Sequence, residues 1–396
     1  MKKILALALA LCMVFALCAC GKSAGSDLPG ITADKTIKIG FVGFLSGGDA
    51  YLGQGAKMAL EDYIEELNAN GGILGKKVEL IPYDIGMDPN TETANACNRL
   101  IQQDKVVAII GPESTEQAMV AVPIVNEGKV PMIVTTASNP LVTVAEDGSL
   151  NPYMFRMCFT DPYQGTALAN FAYNDLGLKN TAFLGDVTNI YCEGIQNCYR
   201  DEFTKIGGKI VAEEGMMQTD VDFRAQLTTI AETGADSILL ATGSYKVVSF
   251  VAKQARQLGL DDITLLGVDG WYASELLDLA GDELEGSFMT NMVSDDDPMF
   301  AEYIEKFTAK HPGTTPNVYA YYALDAFMSV EWAIKEAGVA NSVAIAEKLG
   351  TMKDVPVFTG NLTIEADTHN PHNKTVSIIE ITDSQFKTYK LYTPED

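Results

Sequence analysis

Apolar residues fall along this chain in two alternating rhythms: short continuous runs, and longer stretches with one apolar face at helical spacing. The runs at 37–43, 78–83, 106–111 and 130–135 are bounded by turn residues and predict buried strands. After the first, Ala56, Ala59, Leu60, Tyr63, Ile64 and Leu67 fall on one helix face, and Gly71-Gly72 stops that helix. Further helices are expected over 91–103 and, despite Pro123, over 116–127. Strands alternating with helices of this length imply a parallel sheet covered on both faces.

The order then begins again. Strands at 181–185, 209–213, 237–241 and 264–268 alternate with helices at 193–206, 223–233 and 247–258. In both halves a helix meets a Gly-Gly pair, here Gly207-Gly208, and strand, helix and strand follow. Each series ends in a loop of small hydroxyl residues, at 111–115 and at Thr242-Gly243-Ser244. The repetition predicts two similar lobes. After Gly286, helical patterns at 317–338 and 343–349 return the chain to the first lobe, and alternating strands at 361–392 cross back. The expected division is 35–156 with 291–358 in lobe one, and 157–290 with 359–396 in lobe two.

The amino terminus reads differently. Lys2 and Lys3 precede an uncharged apolar run at 4–19, shorter than the roughly 20 residues a spanning helix needs. A basic start, a short apolar core and small residues describe an export signal over 1–19. Leu17-Cys18-Ala19-Cys20 resembles a bacterial lipobox, whose last cysteine is acylated. Cys20 is therefore the expected lipidation site, and 20–34 a flexible tether. The expected location is extracytoplasmic, lipid-anchored to the cell membrane.

The remaining chain exceeds what one core usually supports, which agrees with two lobes. Formal charge is −25, and −27 without Lys2 and Lys3, so no nucleic-acid partner is expected. Beyond the signal, Cys97, Cys158, Cys192 and Cys198 are too few and scattered for a disulfide scaffold. Six residues apart on a predicted helix, Cys192 and Cys198 point to different faces, so all four are read as packing residues.

Enzyme signatures fail on inspection. Residues 71–77 approach a phosphate loop, but Lys77 stands where Ser or Thr should follow the Gly-Lys pair. Gly53 and Gly55 approach a dinucleotide fingerprint, yet Met58 fills the third glycine's place. His311, His369 and His372 lack zinc-site spacing, and the last two are expected to be exposed. Asp295-Asp296-Asp297 reads as a solvated loop. No Gly-x-Ser-x-Gly elbow occurs. Neither catalysis nor a cofactor or metal is expected.

The loops, taken in order, carry a resemblance. Residues 37–47 (IKIGFVGFLSG), 70–75 (NGGILG), Tyr83-Asp84 with Asp88-Pro89, and Ile110-Gly111-Pro112 come first. Residues 135–140 (TTASNP), 161–165 (DPYQG), Gln254 to Arg256 with Gly259, and 267–270 (GVDG) follow. Together they resemble the leucine/isoleucine/valine-binding proteins of bacterial ABC importers across essentially the whole mature chain. The resemblance implies an α/β type I periplasmic-binding-protein fold: two doubly wound parallel-sheet lobes, three crossover strands, and a cleft at the strand ends. The open α/β rule places ligands in the same crevice.

What the resemblance implies for the site is specific. Thr115, Thr136 and Ser138 match positions that hold an amino acid's carboxylate; capping of helices or turns is the bland alternative. Asp269 matches the acidic residue that binds the α-ammonium, against a turn aspartate bonding its own backbone. Tyr191 matches a covering tyrosine, with Ser114 beside it in the pocket set. In the side-chain pocket the usual first-loop tyrosine aligns with Leu52, with Tyr51 adjacent, and Ser244 and Tyr245 compete for one aromatic position. Asp49, Glu113 and Glu116 either tune the pocket toward a polar or cationic ligand or face water. The implied partners are a small zwitterionic amino acid and ABC permease subunits, with the chain a monomer. An amide, urea or aromatic acid as ligand, or use as a lipid-anchored sensory module, remain alternatives.

Overall fold

The computed structural model describes residues 30–372 and 374–393; the expected signal, Cys20 and the tether up to residue 29 lie outside them. Apolar runs become the strands of a first sheet; the run at 78–83, expected to be buried, forms its edge and is only partly covered. β1 (Thr36–Gly43), β2 (Lys77–Asp84), β3 (Ala108–Ile110), β4 (Met132–Val134) and β5 (Met154–Arg156) pair in parallel in the order β2-β1-β3-β4-β5. A second set repeats it. β6 (Asn180–Asp186), β7 (Lys209–Met216), β8 (Ser237–Ala241), β9 (Thr264–Gly267) and β10 (Ser287–Asn291) run β7-β6-β8-β9-β10, again parallel. Strand order reverses beside β1 and beside β6, which opens a crevice at the carboxyl ends of each sheet.

Helices cover these sheets. α1 (Ala50–Ala69), α2 (Pro89–Arg99) and α3 (Thr115–Gly128) belong to the first. α4 (Asp161–Asn170), α5 (Ile190–Lys205), α6 (Arg224–Ala231), α7 (Tyr245–Gln257) and α8 (Ser274–Ala280) belong to the second. After β10 the chain returns through α9 (Ala301–Lys310), α10 (Val318–Ala337) and α11 (Ser342–Leu349), with α10 packed along α1 and α11 on α10. A short antiparallel ribbon follows, β11 (Val355–Val357) with β12 (Gly360–Leu362). Antiparallel β13 (Val376–Thr382) and β14 (Gln385–Tyr392) then extend the second sheet beyond β10. The chain thus passes between the sheets three times, before α4, after β10 and after β12.

The departures from expectation have physical causes. The run at 106–111 is apolar because it is buried, but only Ala108–Ile110 pairs in the ladder. The expected helix at 91–103 ends at Arg99 and continues as a wider π-helical turn, Leu100–Asp104. β5 escaped notice because it is three residues long and ends in an arginine. That arginine, Arg156, is fully buried: it donates to Ala137 O (2.6 Å), Asn139 O (2.6 Å) and Asn370 Oδ1 (2.9 Å). It ties the segment after β4 to the third crossing.

Two expectations of exposure are corrected. His369 is buried, its ring stacked 4.0 Å from that of Phe155 and its Nδ1 2.9 Å from Met154 O. Asp295 is not solvated either: Tyr272 Oη donates to it at 2.9 Å, and burial pushes its carboxyl up to about 6. Asp296 beside it accepts from Thr388 N and Oγ1. Asp296 is thereby tied to β14, and both it and Asp297 are exposed as expected. Cys97, Cys158, Cys192 and Cys198 are free thiols.

Gly53 and Gly55 separate close approach from mere permissiveness. A Cβ on Gly53 would lie 2.5 Å from Phe44 O and 2.8 Å from Phe44 N, so α1 sits against the segment leaving β1 only because position 53 is bare. A Cβ on Gly55 would meet nothing. Gly53→Ala is expected to destabilise by about 1–3 kcal/mol through overpacking. Gly55→Ala should stabilise by up to ~1 kcal/mol through helix propensity. Urea melts of both variants check the contrast; equal effects would contradict it.

Candidate ligand-binding cleft

The carboxyl ends of the two sheets meet across a cavity of about 190 Å³. Phe44, Asp49, Leu52, Pro89, residues 113–117, Thr136 and Tyr319 line it from lobe one. Asn189, Tyr191, Gln218, Gly243, Asp269 and Gly270 line it from lobe two.

On the first side, the turn after β3 feeds α3. Ser114 is the N-cap in extended conformation, and the first helical bond runs from Ala118 N to Ser114 O at 3.1 Å. The amides of Thr115, Glu116 and Gln117 therefore have no intrahelical acceptor, and the helix dipole favours negative charge there. The Thr115 hydroxyl is buried and without a partner. The Ser114 hydroxyl is committed to Gln117 Oε1, while Gln117 Nε2 donates to Asn90 Oδ1 at 2.7 Å. Thr136 Oγ1 donates to Glu113 O at 2.7 Å, so its hydroxyl proton braces the turn.

On the other side, Asp269 opens a short turn directly after β9. Its Oδ1 accepts from Tyr191 Oη at 2.5 Å and from Gln164 Nε2 at 2.6 Å. Tyr191 Oη accepts in turn from Gly270 N at 3.2 Å, and Tyr191 N donates to the Asn189 cap of α5 at 3.0 Å. Burial raises the Asp269 carboxyl above its ordinary range, and the bonds from Tyr191 and Gln164 oppose that rise. The carboxylate is thus held in place by its own lobe before anything crosses the cleft.

The remaining expected residues form the edge or lie behind it. Leu52 is on the cavity wall. Tyr51 donates across the cleft to Gly243 O at 3.3 Å, and its ring meets Tyr245 edge-on at 5.2 Å. Ser244 caps α7 and its amide donates to Thr242 Oγ1 at 3.2 Å; neither Ser244 nor Tyr245 lines the cavity. Ser138 is fully buried behind the wall, its carbonyl accepting from Asp161 N at 3.0 Å.

Several wall residues had no local signal in the sequence. Tyr319 stands at the start of α10, some two hundred residues from the loops it faces. Asn189, Gln218 and Gln117 are polar residues in ordinary turn or cap positions. Glu113 was noticed only as an acidic neighbour. It is 3% exposed, and burial pushes its carboxyl up to about 7 against the opposing pull of its own backbone amide and that of Phe44. No cluster of three or more His, Cys, Asp or Glu side chains is placed to hold a metal among the described residues.

Comparison with known proteins agrees with this geometry. An amino acid binding protein of Pseudomonas aeruginosa is 30% identical over 330 residues, covering 82% of this chain and 84% of its own. The structure of the leucine binding protein LivK from Thermotoga maritima superposes with a TM-score of 0.82 at 30% identity, over 90% of this chain and 99% of its own. LivJ from Streptococcus pneumoniae, solved with isoleucine, gives 0.82 at 28%, over 91% of this chain and all of its own. A Rhodopseudomonas palustris solute binding protein solved with 3,4-dihydroxybenzoic acid gives 0.77 at 25%, over 91% of this chain and 98% of its own. Residues 36–385 match the sequence profile described as periplasmic binding protein, spanning all three crossings and both sheets up to the start of β14. By fold, cleft and profile alike, this chain belongs to the periplasmic binding protein family.

Proposed function

We propose that this chain is the extracytoplasmic solute-binding component of an ABC importer and closes its lobes over a small zwitterionic amino acid. The observation that carries the reading is Asp269: a buried, doubly bonded carboxylate sharing one cavity with the open amides that begin α3. The ammonium is received by Asp269. The carboxylate is received by the amides and hydroxyl at Thr115, with the Thr136 backbone beside them. Tyr191 covers the ligand from lobe two and Leu52 from lobe one. Only the closed arrangement offers both ends at once, so the ligand favours closure by its differential contacts. Acylation at Cys20 and a monomeric chain complete the proposal, with permease subunits as partners and no catalytic step.

The cleft's charge separates this reading from an aromatic acid, the ligand of one structural relative. Asp49, Glu113, Glu116 and Asp269 line the cavity, and among the described residues no Lys, Arg or His does. An anion without an ammonium would confront a buried carboxylate with no counter-charge. A neutral amide or urea would donate N–H groups to Asp269 but bring it no counter-charge.

Three outcomes are expected. A true ligand at a hundred times its Kd adds about 2.7 kcal/mol of stability, so a thermal-shift panel of amino acids should contain members that raise Tm by several degrees. Asp269→Asn should weaken such binding about 10- to 100-fold in calorimetry, the worth of a charge-assisted hydrogen bond. Affinity within twofold of the parent would remove Asp269 from the account.

The third concerns pH. Burial raises the folded value of Glu113 to about 7, above its unfolded value. Its contribution to stability is then full below about pH 4 and is lost as pH rises through about 7. Ligand-free Glu113→Gln should therefore be more stable than the parent at pH 8 by about 1–3 kcal/mol, the gap closing towards pH 4.5. Parallel melting curves across that range would contradict the assignment.

A further inference from the structure

We infer that Tyr51, Tyr245 and Lys246 form a clasp across the cleft that favours the closed lobes and raises the affinity of every ligand by the same factor. The inference rests on the lobe closure proposed above but on no particular ligand. Tyr51 stands in the first turn of α1, in lobe one, and donates to Gly243 O of lobe two at 3.3 Å. Its ring is caught between two others, meeting Tyr245 of lobe two at 5.2 Å and Tyr319 of lobe one at 6.1 Å, both edge-on. Lys246, exposed in the first turn of α7, reaches the same loop of lobe one. Its Nζ lies 3.8 Å from where a Cβ on Gly48 would stand. Burial raises the carboxyl of neighbouring Asp49, and the charge of Lys246 opposes that rise. None of Tyr51, Tyr245 and Lys246 lines the cavity.

Each half of the clasp is fixed by its own lobe. In lobe one, Asp84 Oδ1 accepts from Leu45 N at 3.0 Å and from Ser46 N at 3.1 Å, and Gln54 Nε2 donates to Leu45 O at 3.0 Å. In lobe two, Gly243 packs on the turn that carries Asp269: a Cβ on Gly270 would lie 2.7 Å from Gly243 Cα. The two loops follow β1 and β8, whereas the crossings leave from β5 and β10 and return at β13, none of which neighbours β1 or β8. Opening about the crossings therefore parts the clasp. Its contacts are protein on protein, so they favour the closed form whatever the cleft holds. Apparent affinity scales with the fraction of chain that is competent to bind, and the clasp changes that fraction alike for all ligands.

Small-angle scattering on the purified chain without ligand, with calorimetry on the same proteins, tests this. Tyr51→Phe removes the bond and keeps the ring, Tyr245→Ala removes the edge-on pair, and Lys246→Glu sets a like charge against Asp49. Each variant should have a larger radius of gyration than the parent. Each should also weaken alanine, leucine, glutamine and lysine, wherever the parent binds them, by one shared factor of about 2- to 10-fold. Lys246 is exposed, so its variant keeps the test decisive should Tyr245→Ala fold poorly. Radii unchanged from the parent, or losses of affinity that depend on the ligand's side chain, would overturn the clasp. Binding of none of the four amino acids by the parent sinks the zwitterion reading instead, and scattering alone then decides the clasp.

Discussion

A carboxylate taken out of water is stable only where donors or a counter-charge surround it, and Asp269 imposes that constraint at the centre of this fold. Gln164 and Tyr191 meet it in part, both on Oδ1. Each reaches Asp269 because of where its element ends: α4 begins just past the first crossing, and Asn189 caps α5 so that Tyr191 leans over the strand ends. The turn after β9 then presents the acid to the crevice. Sheet order, helix caps and crossings converge on holding one negative group at the mouth of lobe two.

Lobe one answers with the opposite field. The cap of α3 leaves three amides open, and Thr136 braces the turn that carries them. Arg156 holds the carbonyls of Ala137 and Asn139 from behind, so that segment is fixed by a cation that does not itself line the cavity. The positive character of this part of the wall therefore comes from backbone dipoles, while every charged side chain on the wall among the described residues is acidic.

The fold was legible because its central strands are buried on both faces and read as unbroken apolar runs, and two helices, α1 and α5, stop at Gly-Gly pairs. What escaped was short or polar. β5 is three residues ending in Arg156, and β10 opens with Ser287 and closes with Asn291, both buried. Asp269, Thr115, Thr136, Tyr191 and Leu52 were placed on the cavity wall by loop resemblance. Tyr51, Tyr245, Ser244 and Ser138 came from the same source but lie at its edge or behind it. Spacing along a loop does not say which side of the wall a residue occupies. Tyr319 and Glu113 depend on contacts between distant segments, and His369 is buried by stacking on Phe155, which no local pattern encodes.

The central claim is the orientation of a zwitterion between the lobes. A crystal structure of the chain with a tightly bound amino acid tests it most directly. The account predicts the ammonium at about 3 Å from the Asp269 carboxylate, and the carboxylate against the amides that begin α3. The same molecule bound with its ends reversed, or bound outside the cleft, would contradict it.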